Sequence, residues 1–442
     1  MGIWSQANAI AVATPADRNR YVDFLRAVSI TLVIVGHWLI TTAHYDAKTG
    51  SLHPVLALDR IPWTSWLTWV FQVMPIFFIV GGYANAVSLE GARKTQTTYP
   101  RWLTGRLHRL LTPLLLLVIV WAGIAFGLNL ARVSAETIAF LSRTALVPTW
   151  FLAIYTMIVL LAPASHKLWR RWGFFSLAGY ILLAVAVDFA FFRLDLPWLG
   201  WTNYFWVWLA MHHLGFAWRD GRLASPAVLL AISLASLLLL AVLIFHGPYP
   251  LAMAGSPGDD VSNTLPPKIT LIALGLAQFG LLLAVERPMQ RLLARPGNWT
   301  ATVIVNTMIM TIYLWHMTVL LAVFAASSLA GGFGLTMAPG SAGWWWSRPV
   351  WLALLTALLA PVAIALSPLE RVARPRGAPV PSSARLVGGA MMAGLGIALA
   401  ALLGFDGDLI SVTNTGIIAL LLGGAWLCGL SIRRSRPRQH PV

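Results

Sequence analysis

Apolar stretches long enough to cross a bilayer recur along the whole chain, and no other feature constrains its fold as much. A helix needs about 20 mostly apolar residues to cross the ~30 Å hydrocarbon layer. Twelve stretches of roughly that length stand near residues 26–42, 66–88, 110–130, 148–164, 174–192, 201–218, 226–246, 268–285, 301–325, 349–366, 386–404 and 409–430. Backbone polar groups in lipid must be satisfied within their own segment, so these spans are expected to be helices. Charge content agrees. Asp, Glu, Lys and Arg make up 10% of the 442 residues, against about 25% in a soluble domain. The expected fold class is all-α: a polytopic membrane helix bundle of about 12 transmembrane helices, a ten-helix core and two more after it.

The net charge of +16 points to nucleic acid only when read without position. The basic residues gather in short clusters between spans. With the N-terminus inside, 24 of the 31 Lys and Arg residues fall on cytoplasmic segments. The other seven are Lys48, Arg60, Arg132, Arg143, Arg193, Lys268 and Arg348. The positive-inside rule accounts for this bias. It argues against a nucleic-acid partner and places both termini in the cytoplasm of a multi-pass protein of the inner (plasma) membrane. Cys428 is the single cysteine, so no internal disulfide is possible.

Residues 1–19 lack the basic start, apolar stretch and small-residue cleavage site of a signal peptide, and read as a cytoplasmic lead. Residues 20–366 read as the transmembrane core, 367–385 as a Pro/Arg-rich cytoplasmic linker, 386–430 as two additional spans and 431–442 as a basic cytoplasmic tail. The longer outer loops, about 43–65, 247–267 and 326–348, carry Gly, Pro and aromatics and are expected to form a shallow vestibule. Trp63, Trp66, Trp69 and Trp344 to Trp346 sit at span ends, as in an interfacial belt.

Chemistry concentrates in the first span. Asp23 and Arg26 precede an apolar run that ends on His37. At about 100° per residue, Arg26 and His37 lie within roughly 20° of one helix face, about 16 Å apart along the axis. Asp23 is placed to pair with Arg26 at i, i+3. An ionisable side chain inside a span costs at least a few kcal/mol to bury, which makes it a functional candidate. The plainer reading is a boundary anchor at Arg26 and a packing residue at His37. Arg106 and Arg109, also at i, i+3, present forked donors suited to phosphate. Ordinary positive-inside arginines would look the same. Pro75 is expected to kink the second span and free a carbonyl. Gly81 and Gly82 would let a helix or a thin ligand approach, helix packing being the simpler use. Asn85 and Gln72 are expected to hydrogen-bond between helices. His212 and His213 point to different sides of a helix, and no metal-ligand spacing occurs.

Taken together, these residues resemble a known family. Asp23-Phe-Leu-Arg26 and the run into His37 resemble the first helix of the acyltransferase type 3 family, bacterial integral-membrane O-acyltransferases. Four matches follow in the family's order. Phe77-Phe78-Ile-Val-Gly81-Gly82 resembles its Phe-Phe-x-x-Ser/Gly-Gly helix, and Arg106-Leu-His-Arg109 with Pro113 resembles its Arg-x-x-Arg motif on a cytoplasmic loop. Trp150-Phe-Leu resembles its Trp-Phe-Leu opening of a later helix, and Tyr313-Leu-Trp-His316 is similar to its Tyr-x-x-His element. The likeness covers about residues 18–366. Gly81 stands where many members have serine, so no hydroxyl role is assigned there.

The resemblance implies an acyl-CoA donor substrate made in the cytoplasm, acetyl-CoA by preference, with no bound cofactor and no metal. The implied acceptor is a hydroxyl of an extracytoplasmic carbohydrate, a lipid-linked sugar or a secreted metabolite, reached among membrane lipids. Arg26, Arg106 and Arg109 would bind the donor. His37 and Asp23 would be the catalytic residues, His37 acting as base or as nucleophile through an acyl-histidine. Phe77, Phe78, Gly81, Gly82, Trp150, Tyr313 and His316 would line the site. The alternative is a twelve-helix transporter or exporter, which fits the span count but lacks an evident repeat between halves.

Overall fold

From Gly2 to Leu430 the chain is a succession of helices with one small hairpin in the computed structural model, which describes residues 2–15, 17–255, 260–370, 379–408 and 410–430. The order begins α1 (Ile3–Val12), α2 (Arg20–Ile40), β1 (Thr41–Asp46), β2 (Ser51–Leu56), α3 (Ala57–Arg60), a 3-10 turn at Pro62–Leu67, α4 (Thr68–Phe71) and α5 (Met74–Lys94). It continues with α6 (Tyr99–Leu130), α7 (Ala135–Leu146), α8 (Trp150–Trp172), α9 (Phe174–Arg193), α10 (Asn203–Arg219) and α11 (Pro226–His246). The remainder is α12 (Ile269–Ala284), α13 (Glu286–Leu293), α14 (Pro296–Thr307), α15 (Ile309–Leu329), α16 (Ala342–Glu370), α17 (Ser383–Leu403) and α18 (Val412–Leu427). The expected linker at 367–385 lies partly outside the described residues, and the expected tail at 431–442 wholly so.

Every expected span is helical. Among the described residues, nine segments are long and apolar enough to cross a membrane, and a tenth, α12 with α13, bends by 58° at Val285. The other two expected spans are α10 and α18, of 17 and 16 residues. The span placed at 301–325 is two helices, α14 and α15, broken at Met308. This is a polytopic helical membrane protein.

Three local features differ from expectation. The loop between the first two expected spans contains the β1–β2 hairpin, in which Thr41 faces Leu56 and Asp46 faces Ser51. Its residues show no clean apolar–polar alternation, so pattern alone did not mark it. Pro75 does not bend a continuous helix. The chain breaks before it, at Gln72–Val73, and Pro75 falls in the first turn of α5, where a missing N–H costs little. The freed Gln72 carbonyl accepts from Gln278 Nε2 at 2.9 Å, and Gln72 Nε2 donates to Met253 O at 2.7 Å. The Arg-x-x-Arg motif does not sit on a loop. Helix α6 runs 32 residues, about 48 Å at 1.5 Å per residue, and its apolar part occupies only the second two-thirds. The basic turns are its continuation before the apolar part.

The chain forms two compact units. The first comprises Met1–Glu90, Leu161–Ile309 and Val319–Leu359, and the second Gly91–Leu160, Met310–Thr318 and Ala360–Val442. In the first unit, α5 and α10 cross with backbones touching. A Cβ at Gly82 would overlap the His212 carbonyl, and one at Gly215 would overlap the Ile79 carbonyl. Small residues permit such approach, and dispersion is the main drive for helix association in lipid. Buried Asp188 accepts from Asn203 Nδ2 at 2.8 Å, Tyr249 OH at 3.0 Å and the Ile269 amide at 2.9 Å, fastening the 247–268 loop. In the second unit, α17 and α18 pair along Gly389, Gly396 and Gly424, and α17 packs on α6 and α7.

Candidate functional site

Helix α2 is unbroken from Arg20 to Ile40 and belongs to the first unit. Asn19 caps it, its side-chain oxygen accepting from the amides of Tyr21 (3.0 Å) and Val22 (3.3 Å). Capping satisfies donors that would otherwise be orphaned at a helix start. The same Asn19 oxygen accepts from Gln290 Nε2 at 2.6 Å, and its Nδ2 donates to Glu286 Oε1 at 2.9 Å. Glu286 also receives Trp218 Nε1 at 3.0 Å. Arg20 Nη1 donates to the Leu293 carbonyl and its guanidinium lies 5.2 Å from the Trp299 ring.

Asp23 is buried in the first turn, 4% exposed. Its carboxylate pairs with two arginines. Arg18 Nε lies 2.6 Å from Oδ2, and Arg26 Nη1 lies 3.4 Å from Oδ1. The expected Asp23–Arg26 pair therefore forms, but Arg18 is the nearer partner. The Asp23 carboxylate, through that hydrogen bond first, holds the Arg18 guanidinium above its ordinary pKa. Asn306 Nδ2 donates to the Asp23 carbonyl at 2.9 Å. Half-buried Arg26 is left with most of its donors for another anion.

His37 stands in the last turn of α2, half-buried, with its carbonyl accepting from the Thr41 amide. Eleven residues of unbroken helix keep it on the Arg26 stripe, ~16 Å away. Its chain neighbour Gly36 packs against Phe71 and, with Leu39 and Ile40, lines a small cavity of about 30 Å³ on a face of α2 about 100° around from His37. Its walls include Gly36, Leu39, Ile40, Ala57, Phe71 and Trp345, and they are almost wholly apolar. Above the cavity the 3-10 turn and the hairpin are held to the 330–341 loop. The Tyr45 amide donates to Leu335 O at 2.9 Å, and Gly332, at φ +82°, packs against the Tyr45 ring.

The other candidates in this unit lie on α5. Phe78 is fully buried and stacks on Trp208, ring centroids 4.4 Å apart, while Phe77 is half-buried. Gly81 is buried, and Gly82 makes the α10 crossing. Asn85 Nδ2 and His212 Nε2 are 3.0 Å apart, so Asn85 bonds between helices, as does Gln72. The second unit holds Arg106, Arg109, Trp150, Tyr313 and His316. On α6, Arg106 is half-buried with its guanidinium 5.8 Å from the Trp102 ring, and Arg109 is exposed. Trp150 opens α8, edge-on to Phe151 at 6.5 Å. Tyr313 OH donates to Pro148 O at 2.6 Å, Phe151 meets Tyr313 edge-on at 6.1 Å, and His316 Nδ1 donates to Tyr313 O at 2.6 Å. Tyr313 and His316 are both buried.

The candidates thus fall in two groups, one on each unit. Arg18, Asn19, Glu286, Gln290 and Asn306, which complete the surroundings of Asp23, were not singled out from sequence. A lone glutamate ending an apolar span was the one signal for Glu286. Among the described residues, no group of three or more His, Cys, Asp or Glu is placed to hold a metal ion.

A family model described as an acyltransferase domain, type 3, matches residues 19–368. No curated protein and no solved structure matches the chain significantly.

Proposed function

This chain belongs to the acyltransferase type 3 family, and we propose that it moves an acetyl or other short acyl group from cytoplasmic acyl-CoA to an acceptor hydroxyl beyond the membrane. The acceptor class is an envelope glycan, a lipid-linked sugar or a secreted metabolite. The carrying observation is the single helix α2, with a paired Asp23 and a part-free Arg26 at one end and His37 on the same stripe at the other. The pantetheine arm of coenzyme A is long enough for a comparable span. Arg106 and Arg109 are assigned to the phosphates, whose oxygens accept the forked guanidinium donors, and Arg26 offers the same chemistry at the start of α2.

His37, as neutral imidazole, takes the proton of the acceptor hydroxyl as its oxygen attacks the thioester carbonyl. The carbon–sulfur bond breaks, the acyl ester forms, and the proton returns to the departing thiolate. No net proton is gained or lost. Asp23 holds Arg18 and Arg26 in place and takes no part in bond making. The protein sits in the inner membrane with both termini in the cytoplasm.

The test uses purified protein with isotope-labelled acetyl-CoA, together with mass spectrometry of envelope glycans from cells lacking the chain. His37→Ala is expected to insert and fold but to abolish transfer, and the deletion strain is expected to lose one class of acyl ester. Undiminished transfer by His37→Ala would remove histidine from the chemistry.

A further inference from the structure

The C-terminal pair α17–α18 lies beyond the residues matched by the family model, yet it is fastened to the helix that carries Arg106 and Arg109. All contacts concerned are inside the second unit. His108, between the two arginines in sequence, points its Nε2 at the Cys428 carbonyl, 3.1 Å away. A carbonyl only accepts, so Nε2 carries the proton. Cys428 is the C-cap of α18, and its carbonyl is one of those a helix end leaves without an intrahelical partner. At 100° per residue, His108 lies about 130° around α6 from the midpoint of Arg106 and Arg109. The helix is thus held on a side turned away from the two arginines.

The same end of the pair is itself knotted. Cys428 Sγ lies 3.8 Å from Leu386 O, and the Arg385 guanidinium lies 5.1 Å from the Trp426 ring. At the opposite end, the Phe405 amide donates to Ser142 Oγ of α7 at 2.7 Å. Between the ends, a Cβ at Gly424 would stand 2.6 Å from the Gly389 carbonyl, so the two helices hold one register.

We propose that α17–α18 is a back-stop for the donor-binding turns of α6, and that His108 is the positioning residue joining the two. This rests on the assignment of Arg106 and Arg109 to acyl-CoA. A guanidinium pair on a basic helix extension needs a fixed azimuth to meet two phosphates at once, and orientation errors near 1 Å can cost about a hundredfold.

The test is equilibrium binding of coenzyme A to the full-length protein in detergent. His108→Leu is expected to weaken binding about tenfold, the size of one lost hydrogen bond. His108→Gln, which keeps a donor, is expected to stay within about twofold of the parent. Gly424→Leu should weaken binding similarly, and the double variant should be no worse than either single one, because both break one coupling. Equal losses in His108→Leu and His108→Gln, or additive losses in the double variant, overturn the proposal. If Gly424→Leu does not fold, the two His108 variants decide alone. Arg106→Ala and Arg109→Ala run beside them. Unchanged binding in both arginine variants overturns the donor-site reading. Weakened binding there with an unaffected His108→Leu overturns only the back-stop.

Discussion

At its Asp23 end, α2 is tied by charged and amide groups to α13 and α14, whereas at its His37 end it meets a hairpin, apolar side chains and free space. At the first end Asp23 and Asn19 are paired with protein, Asn19 alone serving four partners, and Arg26 keeps donors to spare. The second has a mostly apolar cavity lined by Gly36, Leu39 and Ile40. A group that anchors substrate charge benefits from a fixed place. A group that must meet a reacting atom needs room beside it. The two ends of this one helix are supported by different neighbours.

The sharpest way to test that contrast is to remove each end in turn. His37→Ala should lower acyl transfer by about 10²–10⁴-fold, the range for a lost general base. Its unfolding midpoint, followed by tryptophan fluorescence in micelles, should hardly move. Asp23→Ala should do the reverse in kind. Two arginines lose their carboxylate, and stability should fall by about 1–3 kcal/mol in a denaturant titration. Arg18 is 53% exposed, which keeps the figure toward the lower end. If His37→Ala proves the more destabilising of the two, the contrast between the ends is wrong. The smallest effect is expected from Ala57→Val, which adds two methyl groups to the cavity wall. Stability should change by less than about 1 kcal/mol, and a measurable drop in transfer would bring this cavity into the reaction path. Unaltered transfer would take the cavity out of the reaction path.

Much of this was legible in sequence for a local reason. Asp23, Arg26 and His37 share one helix, so their spacing alone places them on one stripe. The motif order from Phe77-Phe78 to Tyr313 and His316 pointed to the family. Less legible was what those residues touch. Arg18, five positions from Asp23, makes the shorter ion pair because the turn before the helix folds back, which no periodicity reports. Glu286 reaches the Asn19 cap across 267 positions, and Gln278 completes the backbone broken at Gln72. Gly82 was open between packing and ligand approach until the His212 carbonyl appeared against it. The placement of Arg106 and Arg109 on a helix rather than a loop turned on how far α6 continues past its apolar stretch.

Lipid demands that each spanning segment satisfy its own backbone, so apolar length by itself determined that these stretches are helices, and helical pitch determined the Arg26–His37 stripe. Which helices meet, and which polar atoms close on one another, was decided only in the tertiary structure. Leu-, Ala- and Val-rich faces are interchangeable to a reader of sequence. They are told apart by a few small residues and long-range hydrogen bonds whose partners lie hundreds of positions away.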